Sequence, residues 1–317
     1  MGKDNILIIG ANGQIGTVLT QALRERYGHD NVIASDIRES KNDNSPFELL
    51  NILEGEELSR IVKKYKINQI YHLAAILSAS GEKNPKRTWD INMNGLFNVL
   101  NVAKDEELCR VFFPSTIAIY GANTPQFNTP QHTVLDPTTV YGISKVAGEN
   151  WCQYYHLKYG LDIRSVRYPG VISYQSLPGG GTTDYAVDIF HKAVRGVDFE
   201  CFLTKDTRLP MIYMPDAIRA TVELIDAPNE NIKIRSSYNL ASMSFTPEEI
   251  YNEIKKHIPD FKITYKPDFR QAIADSWTAT IDDAHARADW GWKEDYNISQ
   301  MTTDMIFQLS KQLDVAT

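Results

Sequence analysis

A short apolar run that ends in a glycine-rich turn constrains this chain more than any other feature of its sequence. Residues 6–9 are all aliphatic and predict a buried strand, and residues 15–23 repeat apolar side chains at helical spacing. Between the two segments stand Gly10, Gly13 and Gly16, in a G-x-x-G-x-x-G pattern. Such a turn lets backbone approach a pyrophosphate at the positive N-terminus of the helix. The pattern therefore predicts the first unit of a dinucleotide-binding fold.

Strand and helix patterns alternate along the first half of the chain. Further strands are predicted at 32–34, 70–73, 111–113 and 163–166, and further helices at 58–65, 91–103 and 138–158. Strands and helices that alternate at this spacing form right-handed crossovers, with a parallel sheet between two layers of helices. We therefore predict an α/β fold, a Rossmann doubly wound parallel sheet.

The pattern changes after Ser173, where glycines 179–181 follow Pro178 and the strands and helices lose their even spacing. We expect an NAD-binding Rossmann domain at 1–173 with a returning segment near 211–240. A smaller C-terminal substrate-binding lobe should occupy 174–317. The run 211–224 predicts a short strand and a helix that return to the first lobe. In the tail, Thr246 is a predicted N-cap, followed by proline at the first helical position. The glycine segment is either a loop that closes over a ligand or a static connector.

Composition excludes several classes of protein. A net charge of −7 and a pI near 5.6 leave no basic footprint for nucleic acid. The three cysteines form no pair at metal-ligand spacing, so no metal site is expected. No run of 18 apolar residues is present, and the start of the chain lacks a signal-peptide core. We expect a soluble, cytoplasmic protein with no membrane partner.

Asp36 closes the second predicted strand, 20 residues after Gly16. A carboxylate at this position accepts hydrogen bonds from the ribose hydroxyls of the adenosine half and repels a 2′-phosphate. We therefore predict NAD rather than NADP as the cofactor. Arg38, two residues later, is the nearby side chain that would favour NADP.

Tyr141 and Lys145 stand four residues apart, on one face of the helix predicted at 138–158. A free phenol has a pKa of about 10 and is a poor base at neutral pH unless a nearby cation stabilises the phenolate. Lys145 and the positive nicotinamide ring could both supply that charge. Since no zinc site is expected, alcohol oxidation would rest on this side-chain acid–base pair.

These residues occur with further motifs that follow the predicted strands. The full set is Gly10/Gly13/Gly16, His72-Leu73-Ala74-Ala75, Pro114-Ser115-Thr116 with Tyr120-Gly121, Tyr141/Lys145, and Arg167-Tyr168-Pro169-Gly170. Together they resemble the extended short-chain dehydrogenases over residues 6 to about 224. Blocks at 168–174, 178–186, 206–216, 243–249, 275–277 and 289–292 resemble the branch of that family that acts on L-threonine. The resemblance thus covers nearly the whole chain.

The resemblance implies an oxidoreductase that converts L-threonine and NAD to L-2-amino-3-oxobutanoate and NADH, a step of threonine catabolism to glycine. Tyr141 would accept the proton of the 3-hydroxyl, and Thr116 would hydrogen-bond the same oxygen. Lys145 would also bind the nicotinamide ribose. The implied substrate contacts are Ser78, Ser115, Thr182 and Trp277.

The same resemblance implies the cofactor contacts and the assembly. The implied cofactor-binding residues are Gly10, Asn12, Gly13, Gln14, Ile15, Gly16, Asp36, Ile37, Ile52, Leu73, Ala74, Ala75, Asn92, Tyr141, Lys145, Tyr168 and Ile172. The implied partner is a second copy of the chain, in a homodimer whose four-helix interface uses the helices at 91–103 and 138–158.

Two alternatives predict different sequence features. A nucleotide-sugar epimerase or dehydratase uses the same catalytic set but needs several basic residues in the second lobe to bind a diphosphate. The candidates for that role, Arg208 and Arg219, are too few. A non-catalytic NAD-sensing protein would keep the glycine turn but would not need Tyr141 and Lys145. The sequence favours the dehydrogenase.

Overall fold

The computed structural model describes residues 4–40, 46–177 and 179–316. The prediction that the chain start lacks a signal-peptide core includes residues 1–3, which lie outside the described residues. Pro178 of the glycine-rich segment also lies outside them. Within the described ranges, no helix combines the length and the apolar character needed to cross a membrane.

The chain alternates strands and helices up to residue 172 and continues less regularly beyond it. The strands are β1 (Ile6–Ile9), β2 (Val32–Asp36), β3 (Phe47–Leu49), β4 (Gln69–His72), β5 (Arg110–Thr116), β6 (Ile163–Tyr168), β7 (Gly170–Ile172), β8 (Phe199–Cys201), β9 (Leu209–Tyr213), β10 (Tyr238–Asn239), β11 (Met243–Phe245) and β12 (Ile263–Tyr265). The helices are α1 (Gln14–Tyr27), α2 (Gly55–Tyr65), α3 (Ser78–Gly81), α4 (Pro85–Asp105), α5 (Val140–Tyr159), α6 (Tyr185–Val194), α7 (Met214–Asp226), α8 (Pro247–Lys255), α9 (Arg270–Asp275), α10 (Ala284–Trp290) and α11 (Ile298–Ala316).

A seven-stranded parallel sheet forms the centre of the first lobe, in the order β10-β6-β5-β4-β1-β2-β3. One apolar layer lies under α1 and α7, and a second lies under α2, α4 and α5, so both faces of the sheet are covered. From β1 the strands are added first on one side (β2, β3) and then on the other (β4, β5, β6). At such a switch point a crevice forms between the carboxyl ends of the two adjacent strands, here β1 and β4. This arrangement confirms the predicted α/β, doubly wound Rossmann fold.

The elements predicted before residue 170 are present, with shifted ends. The helix predicted at 91–103 begins at Pro85, because the Asn84 side chain accepts a hydrogen bond from the Arg87 amide and caps the helix. Strand β3 was not predicted, since Phe-Glu-Leu is short and only partly buried.

The second lobe contains a three-stranded sheet (β11-β9-β7), a two-stranded sheet (β12-β8) and a helical layer that includes α6 and α8. The strand and helix predicted at 211–224 exist as β9 and α7, and α7 packs against the apolar layer of the first lobe. Strand β9 pairs with β7 and β11, and it is β10 that adds to the edge of the main sheet. The predicted cap is confirmed, because Thr246 and Glu249 form a reciprocal capping box at α8.

Arg164 of β6 connects the main sheet to α7 and is completely buried. Its guanidinium donates to the Asp162 carboxylate and to the carbonyl oxygens of Leu224, Ile225 and Ala227, at 2.6–3.2 Å. These carbonyls belong to the last turn of α7 and the residue after it, so one side chain satisfies a buried helix end.

Replacing Arg164 by methionine should lower the free energy of unfolding by roughly 2 kcal/mol or more, because the Leu224 and Ala227 carbonyls lose this donor, whereas Asp162 and the Ile225 carbonyl keep Arg110. The matched control is Arg60→Met, since Arg60 is about half exposed in its pair with Glu57 and its loss should change the free energy of unfolding little. Urea unfolding of both variants measures the difference. Equal effects would contradict the importance given to Arg164.

Candidate active site

Two cavities lie along the carboxyl edge of the main sheet. The first, of about 240 Å³, lies between the glycine turn, the ends of β5 and β6, and residues 181–184 of the second lobe. The second, of about 800 Å³, lies beside the end of β2 and the start of α4. They share Gly10, Gly13, Leu73 and Ala75 in their linings and therefore form one continuous crevice. We call them the catalytic cavity and the adenosine cavity.

The glycine turn between the two cavities fits a pyrophosphate. Gly10 has a φ of +88°, and a Cβ there would lie 2.8 Å from the Ala74 nitrogen. A Cβ at Gly16 would lie 2.3 Å from the Gly10 oxygen. Gly13 at the N-cap of α1 provides no side-chain acceptor, so the first amides of that helix are available to an anion. Side chains at these glycines would close the cradle.

Asp36 lies in the adenosine cavity, with Ile37 and Ile52 beside it. Its carboxylate accepts backbone N–H bonds from Asn12 and Arg38, both at 3.1 Å. Since each oxygen keeps a lone pair, the carboxylate can still accept hydrogen bonds from ribose hydroxyls. The Arg38 side chain lies 3.8 Å away and is mostly exposed. The residues present therefore fit the adenosine half of NAD.

The three predicted catalytic residues meet in the catalytic cavity. Helix α5 begins just before Tyr141, where the Thr139 hydroxyl accepts the Gly142 amide and caps the helix. Lys145 donates from Nζ to the Pro114 carbonyl oxygen at 2.7 Å, and its Nζ is 5.7 Å from the centre of the Tyr141 ring. The Thr116 hydroxyl is hydrogen-bonded to the Tyr141 phenol. A base, a hydrogen-bonding hydroxyl and an ammonium thus face one space.

Burial governs the protonation of this group. It raises the pKa of Tyr141 to about 12, and the hydrogen bond with Thr116 acts in the opposite direction. It lowers the pKa of Lys145 to about 8, against the effects of Cys152 and Glu149, which raise it. Thr116, and not Lys145, is the side chain that lowers the pKa of Tyr141. Stabilisation of a Tyr141 phenolate by Lys145 therefore stays a prediction.

The four predicted substrate contacts all line the catalytic cavity. Ser78 and Thr182 belong to different lobes, and their hydroxyl oxygens are 3.3 Å apart. Trp277 lines the cavity from the second lobe. The Ser115 hydroxyl donates its proton to the Glu149 carboxylate at 2.6 Å, so this hydroxyl is already engaged within the protein.

Three predicted cofactor residues lie outside the linings of both cavities. The Asn12 side chain donates to the Arg38 carbonyl oxygen. The Asn92 side chain accepts the Ile76 amide and donates to the Ile76 carbonyl oxygen and to the Ser144 hydroxyl. Ile172 is buried in the core of the second lobe, because side chains alternate along β7 and the lining is formed by its neighbour Val171. The other predicted cofactor residues line at least one of the two cavities.

Sequence reasoning missed Asp184, the one acidic residue among the described residues that line the catalytic cavity. Its carboxylate accepts the Gly180 and Gly181 amides at 2.7 and 2.8 Å. Burial raises the pKa of Asp184, and these amides act against that rise. An acidic residue three positions after a run of glycines was the available signal.

The chain is similar in sequence to a known enzyme family. The model of the NAD dependent epimerase/dehydratase family matches residues 6–241. The mitochondrial L-threonine 3-dehydrogenase of Bos taurus is 48% identical, over 96% of this chain and 82% of its own.

Solved structures match over nearly the whole chain. The L-threonine dehydrogenase of Cupriavidus necator, in its holo form, is 55% identical, with a TM-score of 0.95 over 96% of this chain and 99% of its own. A monomeric L-threonine 3-dehydrogenase from a metagenome is 51% identical, with a TM-score of 0.95 over 97% and 99%. These matches confirm the resemblance found in the motifs and the predicted cofactor, NAD. The chain belongs to the NAD dependent epimerase/dehydratase family.

Proposed function

We propose that this chain catalyses the NAD-dependent oxidation of L-threonine at its 3-hydroxyl, giving L-2-amino-3-oxobutanoate and NADH. The observation that carries the proposal is the meeting of Tyr141, Thr116 and Lys145 in a cavity that adjoins the glycine turn. Relatives that are named for this activity match nearly the whole chain. The reaction would serve threonine catabolism to glycine.

The residues around Tyr141 divide the chemistry of an alcohol between them. The Tyr141 phenolate accepts the proton of the 3-hydroxyl, and Thr116 hydrogen-bonds the same oxygen and orients it. Lys145 contributes a positive charge beside the phenol and can bind the nicotinamide ribose. When bound, NAD accepts the hydride from the carbon that bears the alcohol.

The remaining cavity side chains suit a small amino acid. The Asp184 carboxylate can pair with an ammonium group, and the hydroxyls of Ser78 and Thr182 can hydrogen-bond the head group. The Trp277 indole shields part of the catalytic cavity from water. Ser115 also lines this space, although its own proton is donated to Glu149.

A nucleotide-sugar epimerase or dehydratase is less compatible with these residues. A diphosphate needs arginine or lysine partners. Among the described residues that line the catalytic cavity, Lys145 is the one basic side chain, and it donates to the Pro114 carbonyl. A purely NAD-sensing role leaves the hydrogen-bonded Tyr141–Thr116 pair without a purpose.

We also propose a division of labour between two parts of the chain. Residues 1–173, with the returning segment near 211–240, bind NAD, and residues 174–317 recognise the substrate. Thr182, Asp184 and Trp277 all belong to the second part. Strand β10, within the returning segment, completes the main sheet and supports this boundary.

A homodimer through α4 and α5 is the proposed assembly. Both helices carry exposed aromatic and aliphatic side chains, namely Trp89, Trp151, Tyr154 and Leu157. Exposed apolar surface of this kind is typical of protein interfaces. The cytoplasm stays the predicted location, in contrast to the mitochondrial bovine relative.

The proposed activity predicts that purified protein with NAD and L-threonine produces the absorbance of NADH, whereas a UDP-sugar does not. The Tyr141→Phe variant should lose at least about a hundredfold in turnover, because the proton acceptor is removed. Binding of NAD by this variant should remain nearly unchanged. The control is Tyr159→Phe, an exposed tyrosine at the end of the same helix. Full activity of Tyr141→Phe would remove this residue from the mechanism.

The Thr116–Tyr141 hydrogen bond predicts a shift in the pH profile. Tyr141 works deprotonated, so activity rises with pH through its pKa. Replacing Thr116 by valine removes a bond that lowers this pKa, and the rise should move to higher pH. A shift of one unit would reduce kcat/KM at pH 7 about tenfold. Thr116→Ser, which keeps the hydroxyl, should behave as wild type, and identical profiles for the valine variant would contradict the assignment.

The proposed dimer predicts that Leu157→Glu yields a monomer in analytical ultracentrifugation, because the new charge lies in the α4–α5 interface. Leu157 is 75% exposed in the single chain. The matched control is Phe307→Glu on α11, since Phe307 is 62% exposed and lies away from these helices. A monomeric wild type, like the relative from the metagenome, would contradict the proposal.

A further inference from the structure

Glu149 follows Tyr141 and Lys145 at four-residue steps, on the same face of α5. It is only 1% exposed and is not among the residues that line either cavity. Its carboxylate accepts the Ser115 hydroxyl at 2.6 Å and two N–H groups of Arg167 at 2.8 and 3.0 Å. One carboxylate therefore connects the catalytic helix to both β5 and β6.

The residues on either side of Ser115 contact the catalytic pair. Pro114 offers its carbonyl oxygen to Lys145, and Thr116 hydrogen-bonds Tyr141. Because these three residues are consecutive in β5, a bond that fixes Ser115 also fixes the carbonyl and the hydroxyl beside it. The bond from Ser115 to Glu149 is thus one residue away, along β5, from the Pro114 contact with Lys145 and from the Thr116 contact with Tyr141.

Stability alone gives little reason for an ion pair at this depth. The side chains of Glu149 and Arg167 are 2% and 4% exposed, and an apolar pair of similar volume is often as stable as a buried ion pair. Arg167 also donates to the Gln131 carbonyl and to the Asn239 side chain, both at 2.9 Å. The pair is therefore rigid, which suits a group that sets the position of others.

We propose that Glu149 is a positioning residue for the oxidation: through Ser115 it holds the Pro114 carbonyl and the Thr116 hydroxyl against Lys145 and Tyr141. The proposal rests on the proposed function, since it concerns the geometry of that reaction. Glu149 itself contacts neither of the two cavities.

The charge of Glu149 also acts on Lys145. The carboxylate raises the pKa of Lys145, and burial lowers it to about 8. The other groups that face Lys145 are uncharged at neutral pH: burial lowers the pKa of His72 on β4 to about 3 and raises the pKa of Cys152 and of Tyr141 on α5. Removal of the Glu149 charge should therefore lower the pKa of Lys145 further.

The kinetic test separates positioning from stability. Glu149→Gln leaves Arg167 unpaired and should unfold more readily, whereas Glu149→Met combined with Arg167→Met should recover most of that stability. In this double variant we expect kcat with L-threonine to stay at least about tenfold below wild type, with KM little changed. Glu106→Gln, at the end of α4, is the control for loss of a partly buried glutamate charge. Recovery of kcat together with stability would overturn the proposal.

Ser115→Ala tests the link itself, because it keeps the ion pair and removes only the hydroxyl. A positioning role predicts a lower kcat with an unchanged KM for L-threonine. An increase in KM alone would assign Ser115 to direct substrate contact and would overturn the link to Glu149.

A titration that needs no substrate distinguishes this proposal from the proposed function. The ¹³Cε signal of Lys145, assigned by its loss in Lys145→Met, should titrate about one unit lower in Glu149→Gln than in wild type. An unchanged titration would overturn the electrostatic effect of Glu149 on Lys145. Failure of the wild type to oxidise L-threonine would instead overturn the proposed function, and the titration would still report on this effect.

Discussion

The close approach of the glycine turn to the segment after β4 is the constraint on which the site depends. A Cβ at Gly10 would lie 2.8 Å from the Ala74 nitrogen, and one at Gly16 would lie 2.3 Å from the Gly10 oxygen. Both contacts are with backbone, so no side-chain rotation could relieve them. Only glycines allow α1 to begin directly above the end of β1, and that placement leaves its first amides facing the crevice. The shape of the cofactor site thus follows from these two backbone contacts.

Burial creates the catalytic environment and also opposes it. Excluding water strengthens each electrostatic interaction in the cavity. The same exclusion disfavours charge, so it raises the pKa of Tyr141 to about 12 and lowers the pKa of Lys145 to about 8. The protein counters both shifts with groups outside the reacting pair. Thr116 acts on the phenol, and Glu149 acts on the ammonium from the adjoining turn of α5. The pKa of Tyr141 therefore depends on Thr116 of the adjoining strand as well as on burial.

Local patterns made much of this structure predictable from the sequence. Strand β1, helix α5 and the Thr246 cap depend on neighbours within a few residues, and the spacing of Tyr141 and Lys145 is a property of one helix. The pairing of β9 with β7 and β11 was not predicted, because strand pairing depends on contacts distant in the chain. Asp184 and the bond from Ser115 to Glu149 were missed for the same reason. Ile172 was assigned to the cofactor site by resemblance, but the alternation of β7 directs it into the core.

Charge in the catalytic cavity explains how one fold can serve different substrates. The Rossmann sheet, the glycine turn and the catalytic helix set where an alcohol must lie, but they do not determine what carries that alcohol. Here Asp184 contributes the one carboxylate, and Lys145 the one ammonium, among the described residues that line the space. A nucleotide diphosphate would bring at least two negative charges toward Asp184 and would meet no free cation from those residues. An amino acid brings an ammonium group that the same carboxylate can bind. On the proposed function, selection between these substrate classes would lie in the segment that follows the glycines, outside the catalytic pair.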